Sequence, residues 1–254
     1  MRWSFVHTPP LPGPVNMAVD EALLHRARLT RHGVIRVYTW STPTVSLGRN
    51  QTARGSFDPE RLAQHGVAIV RRLTGGRAVL HHREVTYSVA APSNEDGDLK
   101  SDCAAINLLL LQALRALGVE VTCAQRTKPM PRPGSGPCFS LPAPGELMFN
   151  DRKLVGSAQV REAGAYLQHG SILIHDDQRR LEQFVPGPVS TTAAATLVAA
   201  LGREVAPGEF SARLRDAVRV TWDADVSDLD AAEIIGGSAM FLDRYQSQAW
   251  TWRR

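Results

Sequence analysis

The chain has 254 residues, 43% of them hydrophobic, enough to bury a substantial core as one large domain or one and a half. Its 29 Lys and Arg against 25 Asp and Glu leave a formal charge of +4, held in short groups such as Arg71-Arg72 and Arg179-Arg180 rather than long tracts, which suits a soluble protein whose mildly positive surface can help it meet acidic partners, and no nucleic-acid partner is expected. No apolar run approaches the roughly 18 residues of a spanning helix, "MRWSFVHTPPLPG" lacks the apolar core of a signal peptide, and three scattered cysteines exclude a disulfide scaffold or a zinc or iron-sulfur site, so the expectation is a cytoplasmic protein with no membrane segment and no metal.

Asn16 to Arg31, "NMAVDEALLHRARLTR", sets apolar residues at Met17, Ala18, Leu23, Leu24 and Ala27 among charges and predicts an amphipathic helix capped by Asn16. Strands are expected in "VIRVYTW" and "TVSLG", parted by Ser41 to Pro43, and, after a short helix in "DPERLAQHG", in "VAIVRR", "AVLHH" and "VTYSVAA". Between Arg72 and Ala78, "LTGGR" predicts a turn in which Gly75 and Gly76 take positive φ or let a ligand approach the backbone. Ser101 to Leu117 reads as a long helix ended by Gly118, with a strand in "VEVTC" after it, and the section from Arg126 to Pro144 is loop by composition. Strands resume in "GELMF", turn at Asn150-Asp151 and continue through "KLVGSAQVR" and "AYLQHGSILI". This hairpin-rich order with helices between predicts an α+β fold, a mixed, mostly antiparallel sheet with flanking helices, rather than a regular βαβ series. From Thr191 the pattern turns mostly helical, so residues 1–189 are expected to form the main domain and 190–254 a small helical C-terminal extension packed on it. With no heptad or exposed apolar stripe left over, the expected state is a monomer.

Cys103 shares a helical stripe with Ile106, Leu110, Leu114 and Leu117 and is expected in the core, although a thiol near a helix start can also have a lowered pKa. Cys123 alternates in phase with Val119 and Val121, again the inward side. Cys138 differs, because Gly134, Gly136, Pro137, Pro142, Pro144 and Gly145 around it give a shaped loop with no core periodicity. Composition alone leaves it between a bystander thiol and a nucleophile. Lys153, at the start of a strand fifteen residues on, favours the second reading as base or as the cation that stabilises a thiolate.

"RRLTGGRAVLHH" is neither a dinucleotide fingerprint nor a P-loop. It reads either as a plain hairpin turn or as a backbone edge for an acyl chain or adenylate, with Arg71, Arg72 or Arg77 meeting a phosphate or carboxylate. Strand phase groups Arg71 with Val67 and Ile69, and Arg77 with Val79 and His81, so the arginines cannot all face one way. Gly156 to Gln159, "GSAQ", offers little bulk and exposed amides that can stabilise an oxyanion, or plain close packing. His169 is a general base or a hydrogen-bonded structural histidine.

Together, "NMAVDEALL", "PTVSLGRNQ", "RRLTGGRAVLHH", "KLVGSAQ" and "LQHGSIL" resemble the biotin/lipoate protein ligase and octanoyltransferase superfamily over about the first 175 residues. "GPCFSLPAPGEL" ahead of "RKLVGSAQ" is similar to the cysteine-dependent octanoyltransferases of the Gram-positive type. The resemblance implies the ligase-like catalytic fold, Cys138 as nucleophile and Lys153 as its partner. It also implies a substrate site around Arg49, Arg71, Arg72, Leu73, Gly75, Gly76, Arg77, Val79, His81, Gly156, Ser157, Ala158, Gln159, His169 and Gly170. The donor implied is octanoyl-acyl carrier protein. The acceptor implied is a lipoyl-bearing protein, such as glycine cleavage H protein or a dehydrogenase E2 lipoyl domain, and no cofactor is needed. Two other activities share the fold: an ATP-dependent lipoate-protein ligase, which would need ATP and Mg, and an amidotransferase between lipoyl-bearing proteins. Cys138 separates the first from octanoyl transfer, as does Arg77, where ligases commonly carry a third glycine. His82 stands where relatives often have aspartate, and "KPMPRPGSG" is unusually proline-rich.

Overall fold

The computed structural model describes residues 1–93, 99–124, 145–186 and 193–254. In chain order the elements are β1 (Trp3–His7), α1 (Gly13–Thr30), β2 (Gly33–Tyr38), β3 (Thr44–Leu47), α2 (Pro59–Gln64), β4 (Ala68–Arg71), β5 (Val79–His81), β6 (Glu84–Pro92) and α3 (Leu99–Ala116). They continue with β7 (Thr122–Cys123), β8 (Leu147–Phe149), β9 (Arg152–Lys153), β10 (Val155–Glu162), β11 (Ala165–Leu173), a 3-10 helix (Gln178–Phe184), α4 (Leu197–Leu201), α5 (Pro207–Trp222), β12 (Val226–Asp228), α6 (Ala231–Gly237), α7 (Ala239–Gln246) and α8 (Gln248–Thr251).

The fold is α+β. A six-stranded sheet runs β10-β11-β6-β2-β1-β12, antiparallel as far as β2 and parallel from β2 through β1 to β12. Two small sheets, β4-β3-β5 and β7-β8-β9, stand beside it. Because side chains alternate across a strand, the register sorts whole rows onto one face or the other. One row aligns Ala158, His169, Ser88 and Arg36, and the next aligns Ser157, Gly170, Tyr87 and Val37. Helix α1 covers the first face, with Met17, Leu24 and Ala27 packed on Val34, Ala90 and Leu167. The second face is covered by α3 and α5, whose Ile106, Leu110, Leu114, Phe210 and Leu214 join Ile35, Val37, Tyr87 and Val89 in the largest core cluster.

Several local expectations change here. Helix α1 begins at Gly13 with Pro12 as its N-cap, and Asn16 lies inside it. There Asn16 is fully buried: its amide donates to the Leu11 and Thr39 carbonyls and its oxygen accepts from Arg36, so a cap-type residue serves as an interior junction. Val119 and Val121 point inward as their alternation implies, but Cys123 is exposed, because β7 is a two-residue edge strand that leaves the core. The C-terminal segment is not helical throughout: β12 pairs in parallel with β1 and extends the main sheet. The expected boundary between 189 and 190 falls outside the described residues.

Arg71 also changes meaning. Its guanidinium is buried and donates to the carbonyls of Trp250, Thr251, Gly48 and Gln51, while Trp250 Nε1 donates back to the Arg71 carbonyl. It ties α8 to the loop after β3. Burial first, then the neighbouring charges of Arg253, Arg254 and Arg72, lower its pKa to about 10.

Candidate functional site

The tight turns after β3 and β4 pack behind a cavity that Ser46, Arg72 and Val79 line on that side. A Cβ on Gly48 would sit 2.0 Å from the Gly76 carbonyl oxygen, and Gly76 itself takes φ +90°, so these two loops can pass back to back only as glycine. Gly170 has the same character on β11, where a Cβ would come within 2.6 Å of the Gly156 oxygen and 2.7 Å of the Tyr87 ring. The resulting cavity is small, with about 20 Å³ of free room for a water-sized guest, and it opens to solvent.

Of the residues the sequence nominated, Arg72, Val79, His81, Gly156, Ser157, Ala158, His169 and Gly170 line this cavity. Gly76 sits at its edge, 3.7 Å (from an added Cβ) to Ala158. Arg71 is the structural tie already described. Leu73 is buried in the core beneath α1. Arg77 gives its carbonyl, as does Gly75, to the Arg72 guanidinium, each at 2.8 Å. Arg49 is half-exposed, its amide on the Thr74 carbonyl and its side chain 3.7 Å from Glu162. Gln159 lies beside Cys103. Cys138 and the loop "GPCFSLPAP" lie outside the described residues.

Two carboxylate-imidazole-hydroxyl chains hold the walls. In the first, Asp20 projects from mid-α1 and accepts from Arg36 (2.9 Å), Tyr38 (2.9 Å), Ser88 (2.8 Å) and His169 Nδ1 (2.9 Å), while His169 Nε2 meets Thr74 Oγ1 at 2.7 Å. Burial alone would raise the Asp20 carboxyl, but the His169 hydrogen bond and the Arg36 charge outweigh it and hold the group below its ordinary value. Burial likewise pushes His169 below its ordinary 6.5, against the pull of Asp20. The ring is therefore neutral, donating from Nδ1 and accepting the Thr74 hydroxyl at Nε2. In the second chain His81 Nδ1 lies 2.7 Å from Glu84 Oε1 and Nε2 lies 2.7 Å from Ser46 Oγ. Thr86 and Ser171 also donate to Glu84, at 2.7 and 2.9 Å.

Apart from Glu84 Oε2, which has no partner among the described residues, most polar atoms of these walls are used on one another, and ring faces and methylenes are left for the cavity. That is how a wall of His, Ser, Thr and Arg can accept an apolar guest. Trp40 stacks on His81 with centroids 4.0 Å apart and donates Nε1 to Thr86 at 2.8 Å. It also borders a second, more open cavity of about 520 Å³, together with His82, Arg83 and His175, so Trp40 stands between the two. His82 points into that outer cavity and pairs with Asp177 at 3.1 Å.

Lys153 stands on the α3 side. It is buried, and its Nζ donates to Glu146 Oε1 at 2.6 Å, a partner that sequence reasoning missed. The hairpin that presents it turns at Asn150 and Asp151, both with positive φ, as the Asn-Asp pair predicts. Cys103 is half-buried nearby, with Asn107 Nδ2 3.7 Å from its sulfur. Burial raises its thiol pKa, with the charge of Glu146 adding to that, so Cys103 is not the activated thiol that its place near a helix start can suggest. Among the described residues no His, Cys, Asp and Glu group is arranged to hold a metal ion, and no helix is long and apolar enough to cross a membrane.

Asp20, Tyr38, Trp40, Ser46, Glu84, Tyr87 and Glu146 were also missed. The one legible signal was Asp20, a charge set between Val19 and the leucines of α1 on the face that must be buried. The rest are ordinary strand residues until the register is known.

Residues 12–219 match the lipoyl protein ligase A/B catalytic domain: the chain belongs to that family. Octanoyltransferase LipM of Carboxydothermus hydrogenoformans is 41% identical over 184 residues, covering 70% of this chain and 67% of that protein. Octanoyltransferase LipM of Brevibacillus brevis is 31% identical over 277 residues, covering 100% of this chain and 99% of that one. Among solved structures, the Ta0514 protein of T. acidophilum superposes with TM-score 0.80 at 22% identity over 100% of both chains. Lipoate-protein ligase A bound with ATP gives TM-score 0.80 at 22% identity over 99% of this chain and 98% of that one. At such identities these structures speak for the fold alone.

Proposed function

We propose that this protein is an octanoyltransferase of lipoate biosynthesis, moving an octanoyl group from acyl carrier protein to a lysine of a lipoyl-bearing protein through a thioester on Cys138. The observation that carries the reading is the likeness to octanoyltransferase LipM along the whole chain. The character of the cavity lining supports it, since its largely internally paired polar walls leave carbon surface toward an acyl guest.

In the proposed mechanism the Cys138 thiolate is paired with the Lys153 ammonium. The thiolate attacks the carrier thioester, the tetrahedral intermediate collapses, and the carrier sulfur leaves with the proton of Lys153. An acceptor lysine, as free amine, then attacks the acyl-enzyme. Its surplus proton passes to Lys153, Cys138 departs as thiolate, and the starting charge state returns. Glu146, 2.6 Å from Lys153 Nζ, is the fixed anion that orients the ammonium. Thioester exchange is nearly level in free energy and amide formation is downhill, so no ATP enters the cycle and none of the proposed residues requires a metal.

The test is modification of an apo lipoyl domain by octanoyl-acyl carrier protein with EDTA present and nucleotide absent. Octanoylated domain is expected. Modification only from free octanoate with ATP and Mg would replace the reading with a ligase, and modification only from an octanoylated H protein would replace it with an amidotransferase.

A further inference from the structure

The face of the sheet under α3 carries a hydrogen-bond chain that ends at Ser157. Gln168 Nε2 donates to the Tyr87 hydroxyl at 2.8 Å, and the Tyr87 hydroxyl lies 2.7 Å from Ser157 Oγ. Gln168 and the Tyr87 ring are fully buried. With the Gln168 amide filling one Tyr87 lone pair, the Tyr87 and Ser157 hydroxyls share a contact in which either can donate. When Tyr87 is the donor, Ser157, which lines the cavity, keeps its own O–H free for a guest. Gly170 makes the arrangement possible, since a Cβ there would lie 2.9 Å from Ser157 Oγ and 2.7 Å from the Tyr87 ring.

Burial raises the Tyr87 phenol, and among the smaller contributions are the charges of Cys103 and Glu146, the latter being the partner of Lys153. The phenol thus stays protonated at any working pH, and a directing donor must keep its proton.

We propose that the Ser157 hydroxyl is the side-chain donor to the acyl carbonyl oxygen, held in that orientation by Tyr87 and Gln168 as positioning residues. This rests on the octanoyl-transfer reading. As the Cys138 sulfur bonds to the thioester carbon, the carbonyl π pair moves to oxygen and the Ser157 O–H shortens onto it without giving up its proton. As the pair returns, the bond to the carrier sulfur breaks. The same donor serves the second tetrahedral intermediate, when the acceptor amine attacks. A donor already aimed by buried groups needs no reorganisation when the charge develops.

The experiment measures the single-turnover rate at which octanoyl-acyl carrier protein acylates the wild type, Ser157→Ala, Tyr87→Phe and the double variant, together with KM for the carrier. Ser157→Ala should lose roughly 100-fold in rate at unchanged KM, and Ser157→Thr should recover part of the loss. Tyr87→Phe should lose roughly three- to ten-fold, and that loss should disappear in the Ser157→Ala background, because Tyr87 acts through Ser157. A Ser157→Ala protein acylated at the wild-type rate overturns the inference, as does a Tyr87→Phe effect that persists in full without Ser157. A wild type that forms no acyl-enzyme overturns the underlying reading and this inference with it, whereas normal wild-type acylation beside an unaffected Ser157→Ala overturns this inference alone.

Discussion

Replacing Asp20 by asparagine tests whether the cavity is held from α1. The carboxylate is buried and accepts four hydrogen bonds, one of them from the guanidinium of Arg36, which is fully buried. Asparagine keeps the shape but removes the countercharge and offers one acceptor oxygen where there were two. Breaking a buried pair from one side costs about 3–5 kcal/mol, and at about 2–4 °C per kcal/mol for a chain of this size the melting temperature should fall by roughly 6–20 °C. Thermal and urea unfolding of the purified variant measure it. A loss below about 1 kcal/mol would show that Arg36 finds other acceptors and that Asp20 does not hold the site.

Four further outcomes follow from the same geometry. Stability should decline on acidification from about pH 6.5, since His169 has its folded pKa below 6.5: above that value both states are neutral, and below it the unfolded chain takes up a proton that the folded chain resists. Asp20, also lowered, adds its loss at more acidic pH, and His169→Gln should flatten the first part of the curve in denaturant titrations. Trp40→Ala should join the two cavities and let acyl donors longer than octanoyl be transferred, which a chain-length series would show. Lys153→Ala should cut transfer by at least about 100-fold while circular dichroism stays native, the scale of a lost acid-base group. Arg71→Met should free the C-terminal residues from the loop after β3, seen as faster amide exchange at Ala53 and Arg54, whose amides donate to the Arg254 carbonyl.

The local punctuation of the chain was legible because it rests on backbone chemistry: Asn150-Asp151 turns its hairpin and Gly118 ends α3 with φ +93°. Long-range polar pairing was not. Asn16 looks like a cap until Arg36, twenty residues away, is found to need its oxygen. Arg71 looks like a ligand for an anion until α8, some 180 residues on, brings carbonyls to it. Tyr87, Ser157 and Gln168 become a chain only once β6, β10 and β11 are set in register. Periodicity placed Val119 and Val121 inward and failed at Cys123, where the strand ends. The resemblance marked Lys153, yet nothing in the spacing of residues 146 and 153 announced Glu146 as its partner.

The most direct test of the acyl-enzyme is intact mass of the protein after incubation with octanoyl-acyl carrier protein in the absence of ATP. The account predicts a gain of one octanoyl group that survives in Cys103→Ala, is released by hydroxylamine and is lost in Cys138→Ala. An unmodified protein that still octanoylates a lipoyl domain, or an adduct retained by Cys138→Ala, would contradict it.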